Sequence, residues 1–221
     1  MLLFLGGNIS KFTSATSYNL DTITRKIKSQ AEFMNFMSKL FITPSFKTNF
    51  RYQIFKNYPR GKITSIDFVP MSKKFRYEEN LNLFHWKLID DTATMSGYKV
   101  QKATCNFGGR SWVAWFTPDI PYRDGPYKFN GLPGLIVKIY DSRDQYVFDL
   151  KSFAKPKHKI MIDYVEDEFI KTSKQKFFQA EDAVRNDIVN RIKAMGINSE
   201  GQQRAAKNMA RRNNPLELKR K

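Results

Sequence analysis

Carboxylates that could do acid–base chemistry stand in two short pairs. Asp119 and Asp124 flank Pro121-Tyr122-Arg123, and Asp141 and Asp144 stand in a predicted hairpin turn. Two carboxyl groups that face one bond are the machinery of glycoside hydrolysis. Turns also favour Asp, because its side chain hydrogen-bonds the nearby backbone. We favour the turn interpretation and keep a hydrolase that uses Asp119 or Asp124 as an alternative.

The two histidines and the single cysteine add few candidate sites for metal binding or catalysis. His85 and His158 lie far apart in sequence and have no cysteine at ligand spacing, so neither a zinc site nor a Ser–His–Asp triad is predicted. His85 is interpreted as a strand residue. A thiol–base pair of Cys105 and His85 stays open, although nothing in the sequence marks an activated thiol. The sequence predicts no metal site and no cofactor.

Two tryptophans and an arginine suggest a stacking surface. Trp112 and Trp115 stand three residues apart on a predicted strand, so their side chains are expected on opposite faces. One should lie in the core, and the other, if exposed beside Arg110, could stack on a sugar ring or a base. The interpretation that we favour is two tryptophans that fill the two faces of a covered sheet.

The stretch 125–137, Gly-Pro-Tyr-Lys-Phe-Asn-Gly-Leu-Pro-Gly-Leu-Ile-Val, concentrates turn residues ahead of an apolar run. A functional interpretation makes residues 131–134 a rigid backbone shelf for a ligand. We favour a tight turn that sets the register of the next hairpin. It is not a phosphate-binding loop, since no Gly-Lys-Ser/Thr ending and no helix follow. The candidate binding residues are Arg110, Trp112, Trp115, Tyr127, Gly131, Leu132, Pro133 and Gly134.

The excess of positive charge bounds the possible partners. The 221-residue chain has a formal net charge of +17, which favours anionic partners such as nucleic acid, acidic polysaccharide or lipid headgroups. Residues 81–150 carry eight basic and seven acidic side chains, so the excess lies on the flanks. Residues 191–221 hold nine Lys or Arg against two Glu, which suggests weak, non-specific polyanion binding through the basic termini. The competing interpretation is a solvated helix face and a frayed tail.

The elements that must position these residues indicate an α+β fold. Short runs of period two, with turns between them, predict a mostly antiparallel, curved sheet, a meander of eight to ten strands. Helices are predicted at 21–41, where Thr43-Pro44 ends the helix, at 174–196, and, polar and basic, at 199–212. We expect one domain over 1–196 and a basic tail over 197–221. The ten predicted strands are 2–5, 9–13, 51–55, 62–69, 74–78, 83–89, 98–104, 110–117, 135–140 and 145–150, and 160–165 is an optional further strand.

Six blocks follow one another along the chain: Trp86, Gly97-Tyr98-Lys99, Lys102-Ala103-Thr104, Gly109-Arg110, Ala114-Trp115-Phe116-Thr117 and the stretch 125–136. Together they resemble the GLPGLI family, a bacterial family named for the hexapeptide that stands here at 131–136. The resemblance runs along the whole chain and implies a periplasmic or secreted protein of unknown function, without catalytic residues to carry over.

The resemblance also bears on the start of the chain and on its cysteine. Family members generally begin with a signal peptide and one or more strands, so this chain, which shows no signal peptide, is expected to begin inside the domain and to lack its first strand. Many relatives carry a cysteine where Val100 stands. That departure leaves Cys105 without a nearby partner and puts any disulfide in doubt.

Taken together, these observations predict a non-enzymatic protein that acts outside the cytoplasm. An aromatic-rich sheet without a catalytic set fits the binding of an apolar or amphipathic ligand, or of another cell-envelope protein. No apolar stretch reaches the roughly 18 residues that cross a bilayer, so no transmembrane segment is predicted.

Overall fold

The computed structural model describes residues 1–42, 50, 52–69, 74–163, 169–194, 196, 198–200, 202–203 and 215–218. In these residues the chain forms two mostly antiparallel sheets and three helices, which confirms the predicted α+β class. The strands are divided between two sheets, whereas a single sheet was predicted.

The first sheet has six described strands in the order β1-β2-β3-β4-β5-β11. The first five follow chain order as antiparallel neighbours, and β11 returns to lie parallel to β5. The strands are β1 (Leu2–Leu5), β2 (Ser10–Thr13), β3 (Gln53–Lys56), β4 (Lys62–Phe68), β5 (Lys74–Asn80) and β11 (Phe169–Lys171).

The second sheet is a five-stranded antiparallel meander in the order β10-β9-β8-β7-β6. Three of its four connections are short turns that contain glycine or aspartate, as predicted. Its strands are β6 (Lys87–Met95), β7 (Tyr98–Phe107), β8 (Arg110–Thr117), β9 (Leu135–Asp141) and β10 (Val147–Asp149).

The three described helices are α1 (Ala15–Thr24), α2 (Gln30–Ile42) and α3 (Lys174–Ala194). The single helix predicted at 21–41 is therefore wrong, since two helices meet there. Ser14 begins α1 by accepting a hydrogen bond from the Ser17 amide (2.9 Å), and Ser29 accepts one from the Glu32 amide (3.2 Å). Glu32 also accepts from the Lys28 amide (2.9 Å), so Ser29-Gln-Ala-Glu32 restarts the helix much as a capping box does.

Other boundaries also differ from the predictions. The strand expected at 83–89 begins at Lys87, so His85 is an exposed residue ahead of β6 and not a strand residue. Residues 160–163 are not a strand, while β11 was not predicted. The predicted helix end at Thr43-Pro44, residues 164–165 and most of the predicted helix 199–212 lie outside the described residues.

The main core lies between the two sheets. Phe12 and Ile54 of the first sheet pack in one cluster with Trp112 and Ala114 of the second, together with Phe129 from the loop between β8 and β9. A smaller cluster forms where α3 covers β5. None of the described helices combines the length and hydrophobicity that crossing a lipid bilayer requires.

Candidate functional site

The loop between β8 and β9 is fixed by backbone hydrogen bonds to itself and to the start of β9. The Leu135 amide donates to the Ile120 carbonyl (3.1 Å), and the Ile136 amide donates to the Asp124 carbonyl (2.9 Å). The Trp86 indole also donates to the Asn130 carbonyl (2.8 Å). This bonding supports the favoured interpretation of a turn that sets the register of β9.

Gly134 makes the tightest approach in that loop. Its φ is 152°, and a Cβ added there would lie 2.0 Å from the Thr117 carbonyl oxygen, so only glycine fits. Of its neighbours among the candidate residues, Leu132 is buried, while Gly131 and Pro133 are exposed. Within residues 131–134, the surface that a ligand could contact is therefore limited to Gly131 and Pro133, because the apolar side chain of Leu132 faces the core.

Lys56 of β3 anchors the beginning of the loop to the first sheet. Its buried ammonium donates to the Gly125 carbonyl and to the Phe129 carbonyl (3.2 Å). It also forms an ion pair with Asp124, one of the two carboxylates considered for catalysis. Burial lowers the pKa of Lys56, although Asp124 opposes that shift.

Lys128 holds the middle of the loop through a second buried ion cluster. Its fully buried ammonium (0% exposed) donates to Glu217 (2.6 Å) and Glu79, and lies 3.4 Å from the Tyr77 hydroxyl. Burial alone would lower the pKa of Lys128, but Tyr77 and the two carboxylates raise it above its ordinary value. The charge of Lys128 is thus fully compensated inside the protein.

Glu217 closes this cluster from the far end of the chain. Its carboxylate accepts from the Tyr127 hydroxyl (2.6 Å) and pairs with Lys174 of α3 (2.6 Å) as well as with Lys128. Burial would raise the pKa of Glu217, yet Lys128 and Lys174 lower it to about 2. Tyr127, one of the candidate binding residues, is therefore buried and has its hydroxyl engaged. Its φ is positive, at 53°.

Arg110 holds the same C-terminal segment from the other side. Its guanidinium donates to Asp141 (2.8 Å), to the Pro215 carbonyl (2.8 Å) and to the Leu216 carbonyl (3.1 Å). Arg110 is buried on the inner face of β8 together with Trp112, so neither is available to stack on an exposed ring. Residues 215–218, which belong to the predicted tail, therefore pack against the sheets.

The burial, exposure or ion pairing of the remaining candidates from the sequence gives no support to catalysis or metal binding. Burial raises the pKa of Cys105 to about 12, and His85 is exposed, so the structure gives no support to an activated thiol pair. Asp119 is exposed, whereas Asp124 is engaged with Lys56. Within the described ranges, no group of three or more His, Cys, Asp or Glu side chains could hold a metal ion.

The outward face of the second sheet is where an aromatic side chain remains available. Trp115 is half-buried on it, opposite Lys102 on one side and Lys138 on the other, and Tyr140 follows two residues after Lys138. The Lys102 ammonium lies 5.7 Å from the Trp115 ring, and that of Lys138 lies 5.8 Å from the Tyr140 ring. We call Lys102, Trp115, Lys138 and Tyr140 the Trp115 face.

The eight candidate residues thus do not converge on one site. The face expected for one tryptophan exists at Trp115, but its cations are Lys102 and Lys138 and not Arg110. The role of the candidates in binding stays a prediction. The buried cations Lys56 and Lys128 were not predicted, because Lys56 follows the end of a predicted strand and Lys128 stands in a predicted turn, where lysine is ordinarily exposed.

A family model described as "Protein of unknown function (Porph_ging)" matches residues 109–138. The matched segment contains β8, the loop and the beginning of β9, and includes the hexapeptide at 131–136. The match does not confirm the name of the GLPGLI family, which stays a resemblance. No curated protein matches the chain.

Among solved structures, the chain is similar to PNGF-II in two crystal forms. In space group P21 the TM-score is 0.53, with 12% identity over 83% of this chain, and in C2 it is 0.52, with 12% identity over 81%. The chain spans 29% of the length of PNGF-II in both cases. At such identity the likeness shows the fold alone. The comparisons therefore relate residues 109–138 to a domain of unknown function, and show that this α+β fold also occurs as part of a longer chain.

Proposed function

We propose that the chain is a non-enzymatic binding protein that acts in the periplasm or after secretion and docks on another protein of the cell envelope. The location rests on the resemblance of its sequence blocks to a family of exported proteins. The docking surface is the Trp115 face. Of the eight candidate residues, Trp115 is the one that combines a large aromatic ring with a position on an outward sheet face.

The single observation that carries this proposal is the pattern of aromatic rings and cations on the Trp115 face. Large aromatic side chains supply much of the binding energy at protein interfaces, and flanking cations select the partner. Lys102 forms an ion pair with Asp91 (2.8 Å) and still lies over the Trp115 ring. The chemistry that complements this surface is a partner segment with apolar side chains and carboxylates.

An affinity purification from solubilised cell envelope tests the proposal. The tagged chain is compared with a W115A/Y140A double variant, and retained proteins are identified by mass spectrometry. We expect at least one envelope protein that the double variant retains about tenfold less, since truncating a central aromatic residue costs on the order of 2 kcal/mol of binding energy.

Leu88→Ala supplies the matched control. Leu88 is 50% exposed on the same sheet and is paired with Ala103, on the face opposite to Trp115. Retention should survive this substitution. Equal retention by the wild type and the W115A/Y140A variant, or no enriched envelope protein at all, would overturn the proposal.

Polyanion binding through the basic termini is the second candidate, and the nine-to-two charge ratio of residues 191–221 favours it. Deleting 197–221 is not a clean test, because Glu217 pairs with Lys128 in the interior. The R204Q/K207Q/R211Q/R212Q variant removes four charges and keeps residues 215–218. Earlier elution from heparin at lower salt supports polyanion binding, whereas unchanged elution excludes this route.

Hydrolysis by Asp119 or Asp124 is the third hypothesis, and we do not extend it. The ion pair with Lys56 occupies the Asp124 carboxylate, which would have to accept or deliver the catalytic proton. Asp119 is exposed and its amide is bonded to the Thr117 hydroxyl (3.2 Å), as in a turn. The Asp124 side chain therefore has a structural role, and Asp119 is an exposed turn residue.

A further inference from the structure

A cleft lies on the side of the first sheet that faces away from the second sheet. It has a volume of about 500 Å³ and opens between α1 and residues 156–163. Lys11 of β2 lies on this side, because it alternates with Phe12, which points into the core between the sheets. The cleft is separate from the Trp115 face.

The lining of the cleft is strongly basic. Five Lys or Arg side chains line it against two Asp, and His158 adds a sixth nitrogen-bearing side chain. Arg25 is paired with Asp163 (3.2 Å), and the other carboxylate, that of Asp21, accepts from Gln53 (2.5 Å). The cations of the lining are Lys11, Arg25, Lys26, Lys157 and Lys159.

Lys11 is the buried cation of this cleft, and its one ion pair, with Asp21, is long (3.8 Å). Its side chain is 7% exposed, yet in the described part of the chain its ammonium donates no hydrogen bond. The nearest carboxylate oxygen, on Asp21, lies 3.8 Å away, and the Phe55 ring centroid lies 5.1 Å away. Burial lowers the pKa of Lys11, although Asp21 opposes that shift. An ammonium whose donors make no protein hydrogen bond can bind an oxyanion that enters the cleft.

Apolar groups line the cleft beside these cations. Ile160 is half-buried, Met161 is 70% exposed, and the Tyr18 ring packs against Phe4 at 4.9 Å. An exposed methionine offers a flexible apolar surface that adapts to varied ligands. The cleft thus places apolar surface next to a cluster of cations.

We propose that this cleft binds a small amphipathic anion, whose carboxylate or phosphate head accepts hydrogen bonds from Lys11 and whose apolar chain packs on Tyr18, Ile160 and Met161. An oxyanion head supplies the acceptors that the Lys11 ammonium lacks, and its charge matches the excess of cations. A chain of about eight to ten carbons occupies a volume of the order that the cleft provides. The inference is independent of the Trp115 face.

Calorimetric titration with three probes of equal chain length tests the inference. Decanoate carries a carboxylate, decyl phosphate a phosphate, and decyltrimethylammonium a cation on the same chain. We expect at least one of the two anions to bind at least tenfold more tightly than the cation, and whichever binds more tightly identifies the head group. Inorganic phosphate alone should bind at least tenfold more weakly than decyl phosphate.

Variants then locate the site. Lys11→Met should weaken binding of the preferred anion at least tenfold, and Met161→Asp should weaken it several-fold. Lys87→Met removes one exposed cation from the other sheet and should change nothing. Circular dichroism of each variant checks folding, and Met161 is exposed enough for its variant to keep the fold.

Three results would overturn the inference. Tight binding of decyltrimethylammonium, or no binding of either anion, removes the anionic head. Inorganic phosphate binding as tightly as decyl phosphate removes the apolar part. Unchanged affinity in both folded variants, Lys11→Met and Met161→Asp, moves the anion away from this cleft.

Discussion

Lys128 and Lys11 are both buried, yet they meet opposite environments. The Lys128 ammonium donates to Glu217 and Glu79, whereas that of Lys11 donates no hydrogen bond within the described residues and has its nearest carboxylate 3.8 Å away. The pKa of Lys128 is raised by its partners, and that of Lys11 is lowered by burial. A buried lysine thus serves as a fully paired structural contact at position 128, whereas at position 11 its ammonium keeps donors that a ligand can use.

This difference in pairing indicates which buried lysine stabilises the fold and which one we assign to ligand binding. A buried charge whose partners are all provided by the protein has no capacity left for a ligand, however perturbed its pKa is. A buried charge without hydrogen-bonded partners costs free energy, which a ligand can offset. The loop 118–134, with its ion clusters, therefore holds the sheets together, while the cleft at Lys11 is available for binding.

Removing the Lys128 charge should have the largest effect of the substitutions considered. Lys128→Met leaves Lys174 as the one cation that pairs with both Glu217 and Glu79 among the described residues, and removing one partner from a buried ion cluster costs about 3–5 kcal/mol. Urea unfolding at neutral pH should show this loss in the midpoint. Lys87→Met, which removes an exposed cation, should stay within about 0.5 kcal/mol of the wild type. Equal stability of the two variants would contradict a structural role for Lys128.

Gly134→Ala should come next, because it forces apart the loop that carries Lys128. The new Cβ would meet the Thr117 carbonyl oxygen at 2.0 Å, and the backbone has a φ that only glycine adopts readily. We expect a loss of about 3 kcal/mol or more, measured by thermal unfolding. Gly97→Ala is the matched control, since Gly97 has a φ of 83° and nothing within 4 Å, so its cost should stay near 1 kcal/mol. A folded, stable Gly134→Ala variant that binds a partner less well would instead make the loop a binding shelf.

Sequence reasoning predicted the strands well where the signal is local. The period of two in β8 and β9 and the turn residues around them mark both strands within one residue of their ends. The break between α1 and α2 was also local, since Ser29 and Glu32 stand three residues apart. It was missed because the apolar spacing continues across the break and outweighed the cap.

The ion clusters could not be predicted in the same way. Lys128 meets Glu217 across 89 residues and Glu79 across 49, and neither separation leaves a mark in the sequence. Lys128 also stands in the stretch 125–137, which was predicted as a turn, and a lysine in a surface turn is ordinarily exposed to solvent. The position of Trp115 on the face opposite to Trp112 was predicted, because it follows from the strand period. The lysines that flank Trp115 were not predicted, because they depend on the register between strands.

The pH dependence of stability gives a smaller and more specific test of the Glu217 cluster. Because the pKa of Glu217 falls from an ordinary 4.5 to about 2 on folding, its charge stabilises the fold above pH 4.5, and this contribution is lost as the pH falls toward 2. The full contribution is about 3 kcal/mol at neutral pH. Glu217→Gln should therefore cost about that much at pH 7 and much less near pH 2. A constant difference between the two proteins across this range would contradict the assignment.

Of these substitutions, Lys11→Met should change the free energy of unfolding least, and the sign of that change distinguishes Lys11 from Lys128. Methionine keeps an unbranched side chain against Phe55 and removes an ammonium whose one ion pair among the described residues is long, so the free energy of unfolding should stay within about 1 kcal/mol of the wild type or increase.

The lowered pKa of Lys11 adds a signature at alkaline pH. The unfolded chain binds a proton at Lys11 more tightly than the folded one, so wild-type stability gains from this residue as the pH rises through the lowered pKa toward 10.5. Lys11→Met lacks that gain, so its advantage should shrink over this interval. The pKa of Lys128 is raised instead, so its contribution is fully present up to about pH 10.5, and the difference between Lys128→Met and the wild type should stay constant from pH 7 to 10.5. Urea unfolding of both variants between pH 7 and 10.5 measures the two trends. Parallel trends would mean that the two lysines share one environment and that the Lys11 cleft is no more open than the Lys128 cluster.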